Sequence, residues 1–170
     1  MDPIVKKITP EEATGEVKEL YEKMVKSSGS VPKWMQVMAS NPHVLMGFFS
    51  LFKSVMDDAP ADPQLKWKVA YHVSKINQCA FCIGVAENKL KPFGITPEQL
   101  EKLDDILNDK EKIAIKYAEN VTNHAYKIEQ SLYDDLKANF SDEEIVEITS
   151  AISLFNYINR FNDALKVLPE

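Results

Sequence analysis

Three observations predict an all-α fold of eight or nine helices for this 170-residue chain: helix-start signals recur along its length, glycine is scarce, and no segment sustains period-2 alternation. Glycine occurs 5 times and proline 9 times, most of the prolines where a helix would begin. Thr9-Pro10-Glu11-Glu12 reads as a capping box with proline at the first helical position and opens a helix over about 10–26. A second helix follows at about 31–39, and Asn41-Pro42 opens a third over about 42–57. Asp62-Pro63 starts a fourth at about 63–77, where Leu65, Val69, His72 and Ile76 fall on one stripe of a 3.6-residue period. The remaining helices are predicted at about 80–90, 97–107, 109–123, 128–138 and 142–166. Thr96-Pro97-Glu98-Gln99 caps the first of the last four, and Ser141-Asp142-Glu143-Glu144 caps the final one.

The composition is 45% hydrophobic and 27% charged, and no linker, repeat or low-complexity tract divides it, so residues 1–170 are expected to form one domain. Two helices, 43–56 and the last, are apolar around most of their circumference. Such helices need cover from their own core or from another subunit, and a homo-oligomer is expected. The balance of 20 basic against 26 acidic residues leaves a net charge of −6, which repels a phosphate backbone and argues against a nucleic-acid partner. Val44 to Phe52 is the most apolar stretch and is far shorter than the ~20 residues that span a bilayer, so no membrane partner is expected. Met1 to Lys26 is charged throughout with no apolar signal region, and a cytoplasmic location is expected.

In a reducing compartment, Cys79-Ala80-Phe81-Cys82 reads as a reactive or metal-binding pair rather than a structural staple. The pair straddles a helix start, with Cys79 near the cap and Cys82 in the first turn, where the helix dipole favours thiolate. A three-residue spacing brings both sulfurs to one face, where one can resolve a sulfenic acid formed on the other. Zinc would need further ligands, and His43, His72 and His124 are scattered singly, so no metal and no cofactor are called for. No strand precedes the motif, as a thioredoxin unit would require. What is left is a redox pair on a helical scaffold.

The run Leu65 to Glu87, LKWKVAYHVSKINQCAFCIGVAE, resembles the signature of the alkylhydroperoxidase D-like (AhpD-like) family within the carboxymuconolactone decarboxylase superfamily. The similarity extends to the opening Ile-Thr-Pro-Glu-Glu-Ala, to Gly15-Glu16-Val17-Lys18, to Asn41-Pro42 and to Phe155-Asn156-Tyr157-Ile158-Asn159-Arg160. The resemblance implies an AhpD-like helical domain, assembly into trimers or hexamers, and a C-x-x-C pair that reduces hydroperoxides and is recycled by a dithiol. The decarboxylase branch lacks the cysteines. In the family a Glu twelve residues before the first Cys and a His four after the second form a proton relay; here those positions hold Trp67 and Ala86, which move no protons.

The catalytic candidates are therefore Cys79 and Cys82, with Cys79 favoured as first attacker by its expected exposure at the helix start. His72, Glu87 and Tyr71 are the auxiliary candidates. His72 lies about 10 Å along the helix axis from Cys79 and reads foremost as a core histidine, and Glu87 as a solvated carboxylate; Tyr71 is spaced to line a pocket with Trp67, and Lys75 is a candidate for stabilising a thiolate. The function read from this set is thiol-dependent reduction of a hydroperoxide or disulfide with an external dithiol as reductant. The alternative is a relay-deficient relative that binds a ligand or senses redox state without peroxidase turnover. Decarboxylation ranks last for want of a positioned acid and base.

Overall fold

The computed structural model describes residues 2–57 and 61–169. Among them are nine α-helices and no strand: α1 (Gly15–Ser28), α2 (Lys33–Met38), α3 (Pro42–Met56), α4 (Pro63–Asn77), α5 (Ala80–Leu90), α6 (Pro97–Leu100), α7 (Asp109–His124), α8 (Gln130–Asn139) and α9 (Asp142–Ala164). No helix among these residues is long and apolar enough to cross a membrane.

The polar side chains before the helices act as the sequence suggests. Asn41 accepts from the Val44 amide at 3.3 Å and Asp62 from the Gln64 amide at 2.9 Å, and each precedes a proline at the first helical position. Thr96 and Ser141 each close a full capping box with the Gln or Glu three residues on, and so does Asn108, which the sequence reading did not single out.

Two expected helices are corrected. The Thr9 box forms only a turn: the Thr9 amide donates to Glu12 at 3.1 Å and the Ala13 amide to the Thr9 carbonyl at 3.0 Å, but helix propagation waits until Gly15. Thr14 is extended and Gly15 sits at φ +54°, a left-handed position that stops the turn from running on into α1 and that glycine tolerates best. The helix expected over 97–107 breaks into α6 and a short 3-10 turn at Leu103–Ile106, because Lys102 leaves helical geometry at φ −117°, ψ 48°.

α4 is the central element, packed against α5, α7 and α9. Two of its three lysines, Lys66 and Lys68, are drawn into the core rather than toward water. Lys66 Nζ lies 2.6 Å from Glu147 on α9 and donates to the Val55 carbonyl at 3.1 Å, and Glu147 also accepts from the Ala61 amide at 2.9 Å. Lys68 Nζ lies 2.6 Å from Glu111, whose second oxygen caps α7 through the Asn108 amide. Buried charges of this kind are tolerable only when paired, and removing one partner leaves the other stranded. Glu147→Gln is therefore expected to cost about 3–5 kcal/mol of stability, read as a lowered urea midpoint against the unchanged chain.

Candidate active site

Gln78 closes α4 in the left-handed region at φ 60°, and the chain restarts as α5 one residue later. The Cys79 amide donates back to the Ser74 carbonyl at 3.1 Å, and Cys79 becomes the cap residue of α5 with Cys82 in its first turn, as the spacing predicts. The two sulfurs stand 2.7 Å apart as free thiols, beyond the ~2.05 Å of a disulfide.

The expected exposure of Cys79 is not found. Cys79 is 0% exposed and Cys82 3%, because the elbow turns the start of α5 inward against α9 instead of out to solvent. Burial alone would raise both thiols. The Cys79 thiol is indeed pushed far up, first because it donates its proton to Cys82 and then by burial. Cys82 is held below the ordinary thiol range, first by that same hydrogen bond, which outweighs burial, and then by the amides of Asn162 and Asn159. Asn162 Nδ2 is 3.2 Å from Cys82 Sγ. Of the two, Cys82 is the sulfur whose charged form is favoured, and Cys79 the one that holds its proton more firmly. Asp163 lies on the solvent side of α9, and partial burial raises its carboxyl, an effect that the Cys79 thiol opposes.

A polar ladder fixes α9 against the elbow. Asn159 Nδ2 donates to Ser74 Oγ at 3.0 Å, Ser74 Oγ donates to the Ala70 carbonyl at 2.7 Å, and Asn77 Nδ2 reaches both Asn156 and Asn159 at 3.1 and 3.0 Å. Every group in the ladder is an amide or a hydroxyl. None of these asparagines is among the site residues suggested by the sequence. Their signal was their spacing: Asn156, Asn159 and Asn162 recur every three residues among Phe155, Ile158 and Phe161 of α9.

Cys82 opens on a small cavity of about 40 Å³, walled by Trp34, Phe48, Phe52, Phe81 and Phe155 and completed by Asn162. Trp67 is 7% exposed and lies behind this wall, 6.3 Å from the Phe52 ring and 5.8 Å from Phe155, with Lys89 over its outer face at 5.7 Å. A carboxylate at position 67 would be buried among rings. Ala86 is also fully buried, one turn beyond Cys82.

His72, Tyr71 and Glu87 are not part of the cavity wall. Tyr71 and His72 share a separate open depression with Lys75 and Glu101. Tyr71 donates to Glu101 at 3.4 Å, and burial first, then Glu101 and Glu87, push its phenol up to about 12. The expected Tyr71–Trp67 pocket does not form, since Trp67 packs instead with Phe52 and Phe155. His72 is half-buried with Nε2 unpartnered, and burial lowers it. Lys75 pairs with Glu101 at 2.9 Å and not with a thiolate.

No protein-family profile matches the chain. Superposition on a solved alkylhydroperoxidase AhpD core, an uncharacterized peroxidase-related protein from Ralstonia eutropha JMP134, gives a TM-score of 0.89 at 16% identity and covers 100% of this chain and 93% of that one. The fold is the AhpD fold. It is shared at a TM-score of 0.81 and 21% identity by the debrominase Bmp8, with 96% of this chain and 90% of that one covered; a cysteine-to-alanine variant of Bmp8 has been solved in complex with 2,3,4-tribromopyrrole. In sequence, the chain is 25% identical over 114 residues to the uncharacterized protein YnjA of Escherichia coli K12, covering 64% of this chain and 63% of YnjA. The match thus spans less than two thirds of YnjA. On this AhpD scaffold the cysteine pair has its thiolate stabilised by a thiol and two amides rather than by a titrating relay.

That arrangement makes Cys79 the larger contributor to Cys82 ionisation. In Cys79→Ala the midpoint for alkylation of Cys82 by iodoacetamide is expected to move to higher pH, because the hydrogen bond that favoured the charged form is gone. A midpoint that stays put would show that the asparagines alone hold the thiolate.

Proposed function

We propose that this chain is a thiol peroxidase of the AhpD-like family, with Cys82 as the attacking sulfur and Cys79 as the resolving one. The observation that supports it is the position of Cys82: its sulfur is favoured as thiolate, borders a cavity, and has a second thiol 2.7 Å away. The Cys82 thiolate attacks the terminal oxygen of a hydroperoxide ROOH, forming an S–O bond as the O–O bond breaks. The departing alkoxide takes the Cys79 proton and leaves as ROH. The Cys79 thiolate then attacks the Cys82 sulfenic sulfur, and the disulfide forms as hydroxide is expelled and becomes water with the proton that Cys82 released to solvent on ionising. An external dithiol returns both thiols.

The test is free-thiol count and intact mass before and after brief exposure to tert-butyl hydroperoxide, then dihydrolipoamide. One intramolecular disulfide should form far faster than free cysteine oxidises, be reversed by the dithiol, and be absent from Cys79→Ser and Cys82→Ser. Thiols that oxidise no faster than free cysteine would sink the peroxidase reading. A non-peroxidatic ligand-binding or redox-sensing protein would then be favoured, on the strength of Trp67 and Ala86 standing where relay groups would be. The debrominase with the same fold means that the fold alone does not fix the oxidant.

Self-association is part of the same proposal. An apolar groove of about 450 Å³ runs between α3 and α9, lined by Val44, Phe48, Leu51, Leu154 and Tyr157, and Leu51 is 52% exposed there. This is the uncovered side of the two helices whose sequences are apolar all round. Sedimentation velocity is expected to show a trimer or hexamer, and Leu51→Glu to shift it toward monomer; a monomeric unchanged chain would refute this part.

A further inference from the structure

Asn162 faces two ways. It is 0% exposed, its Nδ2 donates to Cys82 Sγ at 3.2 Å, and its Oδ1 is buried without a hydrogen-bond partner among the described residues. A buried acceptor left unpaired costs about 1–3 kcal/mol, and native proteins rarely retain one without a use for it. Reversing the carboxamide would take away from Cys82 the N–H donor that favours its charged form. Asn162 belongs to the wall of the Cys82 cavity, and no other group of that wall donates to its oxygen. The missing donor has to arrive with whatever occupies the cavity.

We propose that Asn162 positions both reactants, holding the Cys82 sulfur through its N–H and receiving the O–H of the oxidant on its carboxamide oxygen. The inference rests on the peroxidase reading and narrows its oxidant class. A disulfide brings no donor to the reacting atoms and would leave Oδ1 unpaired in the complex. A hydroperoxide brings an O–H on the oxygen that sulfur attacks. The cavity, at about 40 Å³, has room for a group close to the size of one water, which suits the two oxygens of a hydroperoxide and excludes a ring unless the aromatic wall moves. When the S–O bond forms, the oxygen bonded to Asn162 becomes the sulfenic oxygen and keeps its proton, so one contact serves the reactant and the first product.

Cys82 is the group whose reactivity must be read separately from its ionisation. In the full chain, and in Asn162→Leu and Asn162→Ala, second-order rates of Cys82 modification are measured at one pH with tert-butyl hydroperoxide and with methyl methanethiosulfonate, which has no O–H or N–H donor. Both rates should fall in the variants as the thiolate loses a donor. The ratio of peroxide rate to thiosulfonate rate should fall by a further tenfold or so, the equivalent of one hydrogen bond of about 1.4 kcal/mol. A ratio unchanged from the parent chain overturns the inference, because Asn162 would then act on the sulfur alone. Taking the ratio within each variant removes general loss of thiol reactivity, and the alanine variant stands if leucine at 162 does not fold. Failure of the peroxidase reading itself is distinct: the parent chain would then react with peroxide no faster than free cysteine.

Discussion

The elbow between α4 and α5 is the constraint on which the site depends. A single residue, Gln78, turns the chain through the left-handed region, at a cost of about 1–2 kcal/mol for a residue with a Cβ. Glycine would reverse the chain more cheaply, but a flexible joint would not hold two sulfurs in register. The cost is offset locally by the Gln78 and Cys79 amides, which satisfy the Lys75 and Ser74 carbonyls at the end of α4. It is offset globally because the same turn directs the first turn of α5 into the α4–α9 interface, where Cys79 and Cys82 are shielded from solvent. Ser74 joins these levels: its carbonyl holds the elbow and its hydroxyl holds Asn159 on α9.

Burial and reactivity pull in opposite directions at such a pair. A thiolate moved out of water loses solvation, and an isolated buried cysteine is an inert one. What reverses this for Cys82 is a set of donors already in place: one thiol and two amides, all oriented by packing before any substrate arrives. A pre-positioned dipole in a dry site is worth more than the same dipole in water, and it needs no rearrangement as the charge moves. The two sulfurs consequently differ despite being three residues apart: the charged form is favoured on Cys82 and the proton on Cys79.

Much of the scaffold was legible because helix caps are local chemistry. Asn41, Asp62, Thr96 and Ser141 bond to amides two or three residues away, and such contacts are visible in sequence without knowledge of the fold. The same logic misleads where a cap is not followed by a helix: Thr9 makes its local bond, and the left-handed Gly15 decides otherwise. The cysteine pair was legible for the same local reason, but its burial was not, since that depends on α9, about 80 residues away. Asn159 and Asn162 are distant in sequence from the cysteines, and only their three-residue spacing among Phe155, Ile158 and Phe161 marks them as facing inward. His72, Tyr71 and Lys75 were plausible by proximity in sequence, yet the helix carries them to another face.

The absence of relay groups at positions 67 and 86 has a physical counterpart in what surrounds the pair. A Glu and a His move protons and so tie the reactivity of a thiol to their own titration. Amides do not titrate. A site built from Asn159 and Asn162 stabilises its thiolate equally at any pH near neutrality, and the protons that the chemistry needs have to come from the sulfurs themselves. This accounts for Cys79 being kept as a buried, strongly protonated thiol: on the peroxidase reading it is both the nearest acid to the departing alkoxide and the next nucleophile, and the two roles fall in the order that the reaction requires. Trp67 fits the same design. With its ring in the layer behind Phe52 and Phe155, it keeps that side of the cavity dry, and dryness is what lets fixed dipoles stand in for a relay.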